Sequence, residues 1–249
     1  KIAEIRHDHR QLPDILYAVF KLIFSLISLK FFCASAVAQE ETSRYWINRA
    51  EELVHNDSIE EAISACGMAL KREPGNDSNL VRKAMYLNII GMVNESAKTY
   101  EKALTLLDEK LEKNAGDVEA WQWKAMVLGS LNREDESDQA YERALEIFDQ
   151  RIENDSRDAD AWMGRADVLL NLGRWDEAHE SYNRVTELKP LDCSVWWRKA
   201  EVISGIGDIN ESVEAYDKAI SLIPSYDTAE LALAYAAKAE DLAFAERWE

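Results

Sequence analysis

The residues able to do chemistry are few, and their spacing does not assemble a reaction centre. Four histidines occur, His7, His9, His55 and His179, and no two have the spacing of a metal pair. His55 sits near a helix end and His179 on a polar helix face, so both are expected to be solvated. The acidic run Glu134-Asp135-Glu136 has no ordered oxygen-ligand loop around it, as Ca²⁺ would need, and reads as a solvated turn. Gly205-Ile206-Gly207-Asp208 follows a helical pattern rather than a strand, so it is not a dinucleotide loop. Neither G-x-S-x-G nor a Walker-type loop is present. The sequence therefore predicts a protein that is not an enzyme and uses no metal or cofactor.

Three cysteines cannot make a disulfide scaffold. Cys66 and Cys193 lie several predicted helix layers apart and are not expected to pair. Five N-x-[ST] sites, at Asn56, Asn76, Asn94, Asn154 and Asn210, are glycosylation acceptors if the protein is exported. The Asn-Asp-Ser strings among them read equally as turn and helix-cap chemistry.

Composition bounds the elements that carry these residues. The 249 residues include nine Gly and four Pro, where average usage would give roughly 30 together. So few breakers exclude a loop-rich or all-β chain and favour long helices. A net charge of −18 excludes a nucleic-acid binder, which needs a cationic face for phosphates. Residues 1–38 read apart from the rest: a charged start leads into the apolar stretch Ile15–Ala38, which ends in Ala36-Val37-Ala38. Three readings stay open: an export signal cleaved after Ala38, an uncleaved membrane anchor through residues 15–38, and a non-targeting leader of a cytoplasmic protein. Residues 1–38 hold five of the 29 Lys/Arg and three of the 47 Asp/Glu, so cleavage would leave a net −20.

From residue 43 the chain repeats. Trp46, Leu80, Trp121, Trp162 and Trp196 each precede a small residue by four: Ala50, Ala84, Ala125, Ala166 and Ala200. The steps between these alanines are 34, 41, 41 and 34 residues. An apolar slot follows at Leu53, Leu87, Leu128, Leu169 and Ile203, then a residue tolerant of positive φ at Asp57, Gly91, Asn132, Gly173 and Gly207. A second stripe runs through Ala62, Ser96, Ser137, Ala178 and Ser212, then Cys66, Tyr100, Tyr141, Tyr182 and Tyr216, then Ala69, Ala103, Ala144, Val185 and Ala219. The i, i+4, i+7 spacing of each stripe predicts two helices per repeat, joined by a left-handed turn. Neither helix can bury its stripe alone, so the repeats must stack. Pro74, Pro190 and Pro224 close the second helix of repeats one, four and five, while Asp108 and Asp149 hold that slot in repeats two and three. There the apolar stripe runs on to Leu111 and Ile152, which predicts helices about two turns longer.

This pattern resembles the tetratricopeptide repeat, most closely at Trp162, Asn171-Leu172-Gly173-Arg174-Trp175-Asp176-Glu177-Ala178, Tyr182 and Pro190. The resemblance implies an all-α, right-handed α-solenoid of five repeats, 43–76, 77–117, 118–158, 159–192 and 193–226, within residues 39–226. Residues 227–249 are then a capping helix that docks through Leu231, Tyr235, Leu242 and Ala245, with Glu230, Lys238, Glu240, Asp241 and Glu246 elsewhere. The resemblance also implies a concave groove lined by first helices. Its positions here are Ile47 and Glu51; Val81, Arg82 and Met85; Gln122, Trp123 and Met126; Met163 and Asp167; Trp197, Arg198 and Glu201. Some members clamp a C-terminal carboxylate with Lys and Asn at these slots, which this chain lacks. The resemblance thus implies a non-catalytic scaffold holding a peptide or helix of a protein partner. Two alternatives stay open: an accessory subunit of an envelope enzyme complex, and a structural protein that self-associates.

Overall fold

A computed structural model describes residues 42–224 and 228–246 of the protein. The signal or anchor reading of residues 1–38 lies outside the described residues, as do the side chains of Glu230, Ala245 and Glu246. Among the described residues there are eleven helices and no strand: α1 (Ser43–His55), α2 (Ile59–Arg72), α3 (Asp77–Ile89), α4 (Val93–Lys113), α5 (Val118–Ser130), α6 (Glu134–Asn154), α7 (Ala159–Asn171), α8 (Trp175–Leu188), α9 (Cys193–Ile206), α10 (Ile209–Leu222) and α11 (Thr228–Glu246). The chain divides into two compact units, Lys1–Thr99 and Tyr100–Glu249, with the division inside α4. In the first, α1 pairs with α2 and α3 packs on α2. In the second, each helix from α5 to α11 packs on its neighbour in sequence. Both units are therefore built as an α-solenoid, in which a helix buries its stripe on the next one along the chain.

Local chemistry sets the helix ends. Asp117 and Asp158 cap α5 and α7 by accepting from the amides of Ala120 and Ala161, at 3.0 and 2.9 Å. Asn76 does the same for α3, accepting from Asn79 at 3.0 Å, so this sequon residue is helix-cap chemistry. Each first helix ends in one turn. Asp57, Gly91, Asn132, Gly173 and Gly207 all have positive φ, between 58° and 96°. The following amide donates back to the carbonyl of Leu53, Leu87, Leu128, Leu169 or Ile203 at 2.8–3.3 Å. The apolar slot and the left-handed slot are thus two ends of one Schellman closure.

The alanines at the 34- and 41-residue steps are buried, as are the Cys/Tyr slots of the second helices. In two of the three repeats whose second helix carries Ser at this slot, its hydroxyl donates to the alanine's carbonyl: Ser96 to Ala84 at 2.7 Å and Ser137 to Ala125 at 2.8 Å. Trp121, Trp162 and Trp196 each lie partly in the core and donate from Nε1 to the carbonyl six residues earlier, at 2.9–3.0 Å. Each tryptophan therefore fills an interface and fastens the connection that precedes it. The helices α4 and α6 have 21 residues, against 14 for α2, α8 and α10, as the missing prolines require.

The last helix corrects the sequence reading. It docks through buried Ala234 and Asp241, with Ala237 packed against the α9–α10 core and Lys238 paired to Asp217. Tyr235 and Leu242, expected to dock, are 58% and 43% exposed. The cause is that α11 keeps the repeat register: Ala234 stands 34 residues after Ala200 and fills the same small slot. Asp241 is expected among the polar residues elsewhere on α11, yet it is buried and accepts from the hydroxyls of Ser204 and Ser212.

Candidate functional site: the face of the first helices

In the first unit, Arg82 Nη1 reaches Glu51 Oε1 at 2.5 Å, tying α3 to α1. Ile47 packs partly on the core, and Met85 is 36% exposed. Val81 is a correction: it is fully buried and offers nothing to an occupant. Its short branched side chain ends inside the packing, whereas Gln122, Met163 and Trp197 at the equivalent slot remain partly exposed.

In the second unit the face is continuous over three helices. Gln122, Trp123 and Met126 of α5, with Glu119, line a depression of about 290 Å³ together with Tyr141 of α6 and Asn171 of α7. The Trp123 indole points its N–H toward Glu119 Oε1 at 3.4 Å. On α7, Asp167 Oδ1 accepts from the Tyr182 hydroxyl at 2.7 Å and from Arg198 of α9 at 3.0 Å. Met163 sits beside this group in sequence and is half-buried. Trp197 donates to Glu201 at 2.7 Å and stands edge-on to Tyr216, with 5.7 Å between ring centroids.

The electrostatics arise from this packing. Burial first, and then the Asp167 carboxylate, raises the Tyr182 phenol well above its ordinary range. The hydrogen bond to Tyr182 raises the Arg198 guanidinium. Tyr216 is pushed up to about 12 by burial and the nearby Asp241. Arg82 in the first unit and Arg198 in the second are each engaged by a carboxylate of the preceding repeat.

Sequence reasoning misses Glu119, Tyr141 and Asn171 as lining residues. Glu119, Trp123 and Met126 obey the i, i+4, i+7 rule, so the first could have been found. The core stripe accounts for Tyr141 in the sequence, yet it also lines this depression.

Other candidates resolve differently. His179, expected to be solvated, has its Nε2 buried and 3.3 Å from Glu211 Oε1, because α8 and α10 approach each other there. Glu136 of the acidic run is held by two bonds from Arg133, at 2.7 and 2.6 Å. Among the described residues no group of three His, Cys, Asp or Glu is arranged to hold a metal ion. A Cβ on Gly205 would lie 2.5 Å from the Trp175 ring, so this glycine admits Trp175.

The Tetratricopeptide repeat family matches residues 117–190 and, by a second model of the same description, 194–226. Residues 117–190 and 194–226 are tetratricopeptide repeats. The two more N-terminal repeats lie outside these matches and rest on the shared register and turn geometry. TTC0263, a thermophilic tetratricopeptide-repeat protein of Thermus thermophilus, is similar in structure over 79% of this chain and 98% of its own, at 19% identity and a TM-score of 0.51. YrrB, a tetratricopeptide-repeat protein with an unusual peptide-binding site, covers 83% of this chain and 97% of its own at 21% identity, with a TM-score of 0.37. MamA of Desulfovibrio magneticus RS-1 covers 72% and 94% at 18% identity, with a TM-score of 0.37. No curated protein matches the chain significantly.

Proposed function

We propose that this tetratricopeptide-repeat protein is a non-catalytic scaffold that holds a peptide or helix of a protein partner on the face of its first helices. The observation that carries the reading is the surface of α5, α7 and α9. Trp123, Met126 and Tyr141 supply adaptable apolar contact. The Asp167–Arg198 bond fixes α7 to α9 beside it. Because Arg82 and Arg198 are each already paired, the occupant is gripped by apolar and side-chain contacts rather than by a clamp on its terminal carboxylate. The test is affinity capture with the full chain and its Met85→Glu/Met126→Glu variant. The scaffold reading expects a partner held by the first and lost by the second. Equal recovery by both counts against it.

Export or membrane anchoring through residues 15–38 belongs to the same proposal and rests on the sequence pattern alone. Among the described residues no helix is long and apolar enough to cross a membrane. N-terminal sequencing of the native protein tests the cleavage: a start at Gln39 supports the export reading, and a retained leader argues against it.

A further inference from the structure

The depression on α5–α7 differs in chemistry from three others in the chain. Those carry cations among their linings: Lys124 and Arg143 in one, Lys98 in another, Arg165 and Arg184 in the third. No cation lines the fourth. It is lined by Trp123, Met126 and Tyr141 together with the Glu119 carboxylate and the Gln122 and Asn171 amides, and Glu119 and Asn171 are exposed. Asn171 donates one of its two side-chain N–H groups to the Asp167 backbone carbonyl at 2.8 Å, and its side-chain oxygen is an acceptor. Glu119 receives only the long approach of the Trp123 indole. A volume of about 290 Å³ lies at the lower end for ligand sites and is room enough for a single large side chain.

We infer that this depression is a subsite for an arginine or lysine side chain of the partner peptide, an inference that rests on the scaffold reading above. The methylene stem lies along Met126 and Trp123, which cover its apolar length. The charged head meets Glu119 and the Asn171 oxygen. An acidic side chain would instead meet a carboxylate within a chain of net charge −18. The occupant is therefore a basic, partly apolar segment.

Selection of random displayed peptides on the full chain, followed by fluorescence anisotropy of the enriched peptides, tests this. The expected result is a recurrent Arg or Lys flanked by apolar residues. Replacing it with norleucine, or the protein's Glu119→Gln, should weaken binding by about tenfold, and the two changes together by little more. Glu119 is exposed, so Glu119→Gln should melt like the unaltered protein. Peptides lost on Met126→Glu but without an enriched cation, or indifferent to Glu119→Gln, overturn the subsite and leave the scaffold reading standing. Finding no peptide sensitive to Met126→Glu overturns both.

Discussion

Arg165 donates from Nε to Asp149 Oδ1 at 2.8 Å, and Asp149 occupies the slot that holds a helix-ending proline in repeats one, four and five. The same relation recurs one repeat earlier, where Lys124 meets Asp108 at 2.7 Å. Both cations stand three residues after a tryptophan and lie over its ring, at 5.2 and 5.9 Å. The residue that replaces the proline thus permits the longer helix and ties it to the next repeat.

Restoring the proline should undo this. Asp149→Pro removes a helical hydrogen bond and clashes with the preceding turn, at a cost of about 3 kcal/mol. Asp149→Asn keeps the helix and weakens only a half-exposed pair, at about 0.5–1 kcal/mol. Urea unfolding separates the two. A tolerated proline would mean that the extra turns of α6 contribute little.

Gly164 is required by Phe148, which sits in the extended part of α6. A Cβ at residue 164 would lie 2.2 Å from Phe148 Cζ. Gly164→Ala should destabilise by about 1–3 kcal/mol through overpacking, and Phe148→Ala by about 3–5 kcal/mol through a cavity. In the double variant the glycine penalty should vanish, because the two residues share one space. Additive losses in thermal or urea unfolding would contradict the account.

The docking of α11 depends on Asp241 rather than on its largest apolar residues. Asp241→Ala strands the Ser204 hydroxyl, while Ser212 keeps the Ile209 carbonyl, and should cost about 1–3 kcal/mol, with faster amide exchange along α11. Leu242→Ala should change stability by no more than about 0.5 kcal/mol, since that side chain is exposed. The reverse order would restore the face read from amphipathicity.

Alkaline pH should loosen the fold through its tyrosines. Burial raises Tyr86, Tyr100, Tyr141, Tyr182 and Tyr216, the last to about 12. Well below pH ~10 the phenols stay protonated in both states and nothing is lost. Above it the unfolded chain releases protons that the folded chain retains, so stability falls by about 1.4 kcal/mol per pH unit for each such tyrosine until its folded value is passed. For Tyr216 that window runs from ~10 to about 12. Ultraviolet titration of the phenols alongside unfolding checks this. All nine phenols ionising in the native protein near pH ~10 would contradict it.

Much of the fold is legible in the sequence because a repeat states its rules several times. Ala50, Ala84, Ala125, Ala166 and Ala200 fix the small slot. The left-handed turns come from Gly, Asn and Asp at one position, and the absent prolines announce the long helices. The illegible features depend on neighbours. Amphipathicity places Tyr235 and Leu242 on the docked face of α11, although Ala234, one 34-residue step past Ala200, marks the true register. Asp241 is buried because α9 and α10 present two serine hydroxyls to it, which no pattern within α11 reveals. Val81 and Gln122 share a slot, and only packing shows that one is sealed and the other open. The role of Tyr141 in the α5–α7 depression likewise arises from three helices meeting.

The central claim is that the face of the first helices receives the partner. It is tested most directly by a photo-crosslinking amino acid placed at Met126, or at Arg143 on α6, in native cells. Met126 lines the depression on α5–α7, and Arg143 lines a different one. The account predicts a discrete adduct from position 126, lost on Trp123→Glu, and none from position 143. An adduct from position 143 alone, or equal adducts from both, would contradict it.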